Sequence, residues 1–379
     1  MVPVDETPTF DDAARAEILL ALTPDVGPIL RSRLLERFDT AEAIFAASES
    51  ALQDVQGIGP KISRRIIGAR HEVQLDAQLA IAREHGLTIL LPQWPGYPRS
   101  LKEIPDPPGV LFVRGAIEPA DQMAVAIVGT RRATHYGKKQ AERLAAGLAR
   151  AGLTVVSGMA RGIDGVAHRA AMAAGGRTIA VLASGVLNPF PPEHVKLAEE
   201  IEQQGAVLSE AAPTMPPLAG MFPQRNRIIS GLTMGTIVVE AADRSGALIT
   251  ARHAMEQGRE VFAVPGPVDS PGSSGPHRLL RDGAKLVTCI DDVLEELGPL
   301  VEAAPDQRGG TIRVAAEVLL NEIEHAVLQA IEPTGSMLDD VAASCAMPIH
   351  RVLATVSVLE SRRLVRKLTG NRVARIEAH

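Results

Sequence analysis

Aromatic side chains are scarce in this chain: one Trp, two Tyr and seven Phe, 3% of 379 residues. A broad base-stacking platform of the OB-fold or RRM kind draws on several aromatics, so such a surface is not expected. Cysteine is nearly absent. Cys289 and Cys345 lie far apart in apolar or helical patterns, which reads as two reduced thiols and not as a disulfide framework. The ten histidines show no zinc-ligand spacing and no Cys-x-x-Cys pair occurs, so neither metal nor cofactor is expected. No apolar run approaches a membrane span, and Met1-Val2-Pro3-Val4-Asp5-Glu6 lacks the basic and apolar regions of a signal peptide. A cytoplasmic protein without membrane contact is the expectation. Basic residues are in the minority as well: a net charge of −6 argues against a uniformly basic DNA coat.

What is present is a soluble globular composition, 46% hydrophobic and 22% charged, in a chain long enough for two or three domains. Residues 1–72 read as small helices. Leu30, Leu34, Leu35 and Phe38 fall on one helix face, and Gly57-Ile58-Gly59-Pro60 forms a tight turn between two helices, the pattern of a helix-hairpin-helix or SAM-like domain. Such a turn serves either a DNA phosphate or plain helix packing. Across 73–298, short β-branched or apolar runs recur at 88–91, 110–113, 125–128, 154–157, 178–183, 206–209, 236–240, 260–264 and 285–288. Helical spacing fills 138–150, 193–203 and 247–257, with Gly152, Gly205 and Gly258 at C-cap positions. This βαβ repetition predicts an α/β fold with a Rossmann-like, doubly wound, mostly parallel sheet. Residues 299–318 read as a linker. Residues 319–379 read as three helices followed by a hairpin around Gly370-Asn371, a winged helix that serves either DNA or a protein partner.

Within the sheet domain, Val155-Val156-Ser157-Gly158-Met159-Ala160-Arg161-Gly162 runs from a strand through a glycine-punctuated turn into an alanine-rich helix. Such a junction offers free amides and a helix dipole to a phosphate, and it carries Arg161 inside the turn. Gly129-Thr130-Arg131 after Ala126-Ile127-Val128 has the same character, as does Gln224-Arg225-Asn226-Arg227. Between Val125 and Met172 eight basic residues face two acidic ones. Arginine-bearing turns at the C-terminal ends of strands, where open α/β sheets bind ligands, point to a polyanion. Of Arg225 and Arg227, one is expected to face that polyanion and the other to tie the loop to the sheet.

Other chemistries fit less well. A Walker A loop fails on spacing around Gly129 and Gly137-Lys138-Lys139, and the dinucleotide fingerprint fails on Gly158, Gly162 and Gly165. Ser157, Asp164 and His168 lack a nucleophile elbow. Asp164 and His168 sit one helical turn apart, so a local hydrogen bond fixing the start of the helix accounts for them. The run 231–240 is similar to the Pro-Gly-Gly-x-Gly-Thr-x-x-Glu motif of nucleoside-monophosphate phosphoribohydrolases. Leu232 and Thr233 break its glycine pair, and Glu240 stands one residue too far from Thr236. A phosphoribohydrolase-like enzyme or nucleotide sensor remains the alternative reading.

Taken together the chain resembles the DprA/Smf family of DNA-processing proteins. The resemblance rests on Tyr97-Pro98 with Leu101, Ile104, Asp106-Pro107-Pro108 and Leu111, on Ala126 to Arg131, and on the whole 157–168 block. It continues through 222–231, Val239-Glu240-Ala241, 245–252 and 258–266. It implies a single-stranded-DNA-binding protein, not an enzyme, that acts in natural transformation and recombination. It also implies that the protein protects incoming DNA, displaces single-strand-binding protein, loads the RecA recombinase and forms a homodimer through the Rossmann-like domain. The family's basic pocket is built around a Gly-Ser/Thr-Arg turn, which Gly129, Thr130 and Arg131 match. The family's Tyr-Pro motif is followed by basic residues, which places Lys196 after Pro189-Phe190-Pro191. Phe190 replaces the tyrosine there and His194 the usual asparagine. The DNA-binding set is then Gly129, Thr130, Arg131, Ser157, Gly158, Arg161, Gly162, Lys196, Arg225, Asn226 and Arg227.

Overall fold

A computed structural model describes residues 10–298, 301–305, 311–315, 322–345, 347–361, 364–368 and 370–376. Six helices come first: α1 (Asp12–Leu22), α2 (Pro28–Phe38), α3 (Ala41–Ala46), α4 (Glu49–Gln53), α5 (Pro60–Glu72) and α6 (Leu75–Glu84). Their starts follow from local chemistry. Asp11, Thr40 and Ser48 each accept an amide of the first turn, and Pro28 and Pro60 occupy first-turn positions where a missing N–H costs nothing. Gly57 stands in the left-handed region at φ +95°, which closes the tight turn between α4 and α5.

The alternating region follows in the order β1 (Thr88–Leu90), α7 (Arg99–Lys102), β2 (Leu111–Gly115), β3 (Ala124–Val128), α8 (His135–Arg150), β4 (Thr154–Ser157), α9 (Ile163–Ala173), β5 (Thr178–Val181), α10 (Val195–Gln204) and β6 (Ala206–Ser209). It continues through α11 (Met221–Gly231), β7 (Gly235–Val238), α12 (Gly246–Glu256), β8 (Glu260–Ala263), α13 (Ser274–Arg281), β9 (Lys285–Leu286) and α14 (Ile290–Leu297). Each of the nine apolar runs read from the sequence is a strand of one sheet, ordered β1-β2-β6-β5-β4-β3-β7-β8-β9. Pairing is parallel from β6 across to β9, while β1 with β2 and β2 with β6 run antiparallel. The doubly wound, mostly parallel sheet is therefore present.

Every residue of β3 to β7 is buried, as expected of parallel strands covered on both faces. Alternate side chains feed two cores. Val125, Ile127, Val155 and Ile237 pack with α8 and α9 on one side. Ala126, Val128, Val156 and Val181 pack with α11 and α12 on the other. After β3 the chain winds toward β4, and after β7 it winds toward β8. The β3–β7 boundary is thus the switch point whose C-terminal end forms a crevice.

The N-terminal helices are joined to the sheet domain by a shared core. Besides their own core of Leu20, Leu34, Ile44, Leu52 and Ile66, they share one with the sheet domain. Ile18, Leu75 and Leu79 pack there with Ile89, Phe112, Ala180 and Leu182.

Inside the segment read as a linker, β10 (Val301–Pro305) and β11 (Thr311–Ala315) pair antiparallel. The last elements are α15 (Glu322–Gln329), β12 (Ser336–Met337), α16 (Leu338–Ser344), α17 (Ile349–Ser361), β13 (Val365–Leu368) and β14 (Arg372–Arg375). These three helices and a three-stranded sheet enclose a core of their own, with Val327, Leu338, Val352, Val356 and Val373 at its centre. Among the described residues no single helix is long and apolar enough to cross a membrane.

Candidate nucleic-acid interface

Two turns meet at the C-terminal ends of β3 and β4. The first, Gly129-Thr130-Arg131, is pinned by the Thr130 N–H, which donates to the Glu240 carbonyl at 2.6 Å. The Thr130 carbonyl in turn accepts the Ile163 N–H at 3.3 Å, coupling this turn to the start of α9. Glycine is obligatory where the turns touch. Gly162 stands at φ +78°, and a Cβ there would lie 2.3 Å from the Thr130 carbonyl oxygen. Gly129 and Gly162 therefore set the close approach of the two turns.

The second turn, Gly158 to Arg161, differs from the expectation of free amides. The Ala160 N–H donates to Asp164 Oδ2 at 3.2 Å, and the nearby Gly158 amide also favours the charged carboxylate. Asp164 thus fills the seat an external phosphate would take. Burial raises its pKa, opposed by the Arg225 charge and by these two amides. The proposed Asp164–His168 hydrogen bond is replaced by a different pairing, in which His168 Nδ1 meets the Thr178 hydroxyl at 2.7 Å. That hydroxyl donates to the Val155 carbonyl, so Nδ1 carries the proton and donates to Thr178. Burial, with His194 and Arg169 nearby, holds the His168 pKa down at about 3.

Arg225, Asn226 and Arg227 lie on α11 and are all buried. Arg225 Nη1 donates to the Gly158 carbonyl at 2.5 Å and to that of Val181. Desolvation pulls its pKa down to about 10, against the attraction of Asp164. Arg227 pairs with Asp106 at 3.4 Å and with Glu210. The Asn226 side-chain amide donates to the Gly246 carbonyl at 3.2 Å. The expectation that one of the two arginines faces a ligand is corrected: α11 turns both inward, one onto the β4 turn and one onto two carboxylates. Ser157 is corrected likewise, because its hydroxyl is buried and donates to the Ile127 carbonyl at 2.6 Å.

What remains open is a shallow recess lined by Arg131, Gly158, Ala160, Arg161, Phe190, Pro191 and Phe222. The Arg131 guanidinium carbon stands 5.2 Å from the Phe222 ring centroid, within cation–π range. Phe190 meets Phe222 edge to face at 5.8 Å. The exposed Arg161 guanidinium is ion-paired with Glu193, which holds the Glu193 pKa down at about 2. Lys196 is exposed at the start of α10 but does not line the recess.

Sequence reasoning brought Arg131, Arg161 and Gly158 to this place and missed Phe222, Pro191 and Glu193 as parts of it. The available signal was the paucity of aromatics, since two of seven phenylalanines fall here. Glu240, the residue a phosphoribohydrolase would turn toward a ribose, is buried and accepts the Thr134 N–H at 3.0 Å and the Thr134 hydroxyl at 2.5 Å. It holds the start of α8 and faces no opening.

The family profile of DNA recombination-mediator protein A matches residues 88–298, and that of the SAM-like helix-hairpin-helix tandem matches 17–71. Protein Smf of Escherichia coli is 51% identical over 202 residues, 53% of this chain and 54% of that relative's length. The chain thus spans about half of the E. coli protein. Protein Smf of Synechocystis is 38% identical over 289 residues, 75% of this chain and 73% of the relative. Among solved structures, DNA processing protein A of Streptococcus pneumoniae superposes with a TM-score of 0.64 at 35% identity, covering 76% of this chain and 98% of that one. DNA processing protein A of Helicobacter pylori, whose structure concerns its single-stranded DNA binding mode, gives a TM-score of 0.51 at 31% identity over 56% of this chain and 95% of that one.

Proposed function

The chain belongs to the DNA recombination-mediator protein A family, and from that premise we propose that it binds single-stranded DNA in the recess of Arg131, Arg161 and Phe222, without being an enzyme. The observation that carries this reading is the Arg131 guanidinium, exposed at the crevice of the sheet and set against an aromatic face. Guanidinium groups grip phosphate oxygens through paired N–H donors. The Phe222 and Phe190 rings offer stacking to one base at most, in keeping with an interface that rests on the backbone of the strand. The role extends by kinship to protecting incoming strands, displacing single-strand-binding protein and loading the RecA recombinase as a homodimer during transformation.

Titration of labelled oligo-dT against the wild type and Arg131→Ala tests the reading. Loss of about 1.5–3 kcal/mol of binding free energy is expected, the range for hydrogen bonds to charged groups. Equal affinity of a folded Arg131→Ala protein would remove the recess from consideration. Incubation with nucleoside monophosphates checks the second half of the proposal, with no release of free base as the expected outcome.

A further inference from the structure

The recess has two exposed arginines in unlike states. Arg131 has the Phe222 ring as its neighbour and no ion pair among the described residues. Arg161 is already engaged by a carboxylate of the protein itself, that of Glu193, with side-chain exposures of 57% and 48%. Glu193 belongs to a single 3-10 turn, Pro192–His194, that follows the recess-lining Phe190 and Pro191. The same turn is tied to the Arg161 loop a second time, because His194 Nδ1 donates to the Met159 carbonyl at 2.8 Å. His194 is buried and fixed, so Glu193 is presented to Arg161 by a rigid anchor and not by a wandering loop.

We infer that Glu193 is an internal competitor for the phosphate-binding guanidinium of Arg161, so that a DNA phosphate must displace a carboxylate to complete the site. This rests on the binding function proposed above and assigns its regulation. The Glu193 carboxylate takes the Nε–H of Arg161, so a phosphate that grips the guanidinium through that edge must displace it. The exchange keeps Arg161 neutralised and oriented while no DNA is bound. It also weakens the complex by the strength of the pair it breaks, which favours release of the strand to a next partner. Both groups are half exposed, so the pair is weak enough for a phosphate to open.

Oligo-dT titrations of the full chain with Glu193→Gln, Arg161→Ala and the double variant test this, with Arg131→Ala as reference. Glu193→Gln should tighten binding by about two- to fivefold, the span of an exposed ion pair. On the Arg161→Ala background the same change should do markedly less. Unchanged or weaker binding by Glu193→Gln overturns the inference, and so does an equal gain with and without Arg161, which would mark a general charge effect. If Arg131→Ala leaves affinity intact, the binding function itself falls and the competitor role with it. If Arg131 matters and Glu193 does not, only the competitor role falls. Glu193→Ala provides a second variant should the glutamine form a new hydrogen bond to Arg161.

Discussion

At the scale of single residues, the deciding fact is which charged side chains the fold buries. Arg225 and Arg227 look equivalent in sequence, yet each is committed to the interior, to the Gly158 and Val181 carbonyls in one case and to Asp106 and Glu210 in the other. Removing one partner of a buried pair leaves an uncompensated charge, at a cost of about 3–5 kcal/mol. Arg227→Ala should therefore lower stability by about that much in chemical denaturation, without a specific DNA defect at temperatures where it stays folded. Arg225→Ala should lower stability as well and, because its guanidinium braces Gly158 at the recess, also weaken oligo-dT binding. Two variants with equal affinity and unequal stability would show that the brace is irrelevant to binding.

His168 yields a pH prediction at the same scale. Its folded pKa of about 3 lies below the ordinary 6.5, so an unfolded chain takes up a proton that the native protein refuses. The contribution is fully present above pH 6.5 and is lost progressively as pH falls toward the folded value, at up to about 1.4 kcal/mol per pH unit. His168→Asn, whose amide can still donate to Thr178, should flatten the stability profile between pH 6.5 and 4 relative to wild type, within the window these values set. Parallel profiles for the two proteins would show that another group governs the acid limb.

At the scale of elements, the helix starts tell how the site works. The Ile163 amide at the start of α9 goes to the Thr130 carbonyl and the Ala160 amide of the turn before it to Asp164, so less of this helix start is left to offer a phosphate. Binding then falls to side chains, and the salt dependence follows from counting them. Arg131 and Arg161 give a log–log slope of about −1.4 on a single strand, and Lys196 on α10 would bring it to about −2.1. A Lys196→Ala slope shallower by about 0.7 places that lysine on the strand, and an unchanged slope leaves it off.

The strands were legible because β-branched runs bounded by glycines leave little choice, and the strand-end position of Arg131 and Arg161 followed from the same pattern. Three things were not legible. The inward turn of Arg225 and Arg227 depends on which face of α11 meets β4 and Asp106, a tertiary matter that neighbours in sequence do not encode. The capture of the Ala160 amide by Asp164 requires a bend that brings a side chain back four residues. The meeting of Phe190 with Phe222 joins a loop to the first turn of α11, 32 residues away.

At the scale of the molecule, the helices of the first segment are bound into the sheet domain while the last module stands on its own core. Ile18, Leu75 and Leu79 cover Ile89, Phe112 and Leu182, so a chain starting at Thr88 would expose that apolar face. It should aggregate or melt at a lower temperature in size-exclusion and thermal-unfolding measurements. A chain ending at Gly298 keeps every residue of those shared cores and should melt with the sheet domain of the full protein. A stable, monodisperse protein from Thr88 onward would show that the helical segment is dispensable.

The Asp164 carboxylate beneath the β4 turn has a further consequence, in the language of exchange rates. A loop whose N–H groups wait for an anion is loose until the anion arrives, and its amides trade hydrogen for deuterium quickly in the free protein. Here the Ala160 N–H donates to a buried acceptor that is always present. Its exchange should be slow before any oligonucleotide is added and should not slow further after it. The strand would meet a backbone already set in its final form, with side-chain rotation the only motion left to complete the encounter.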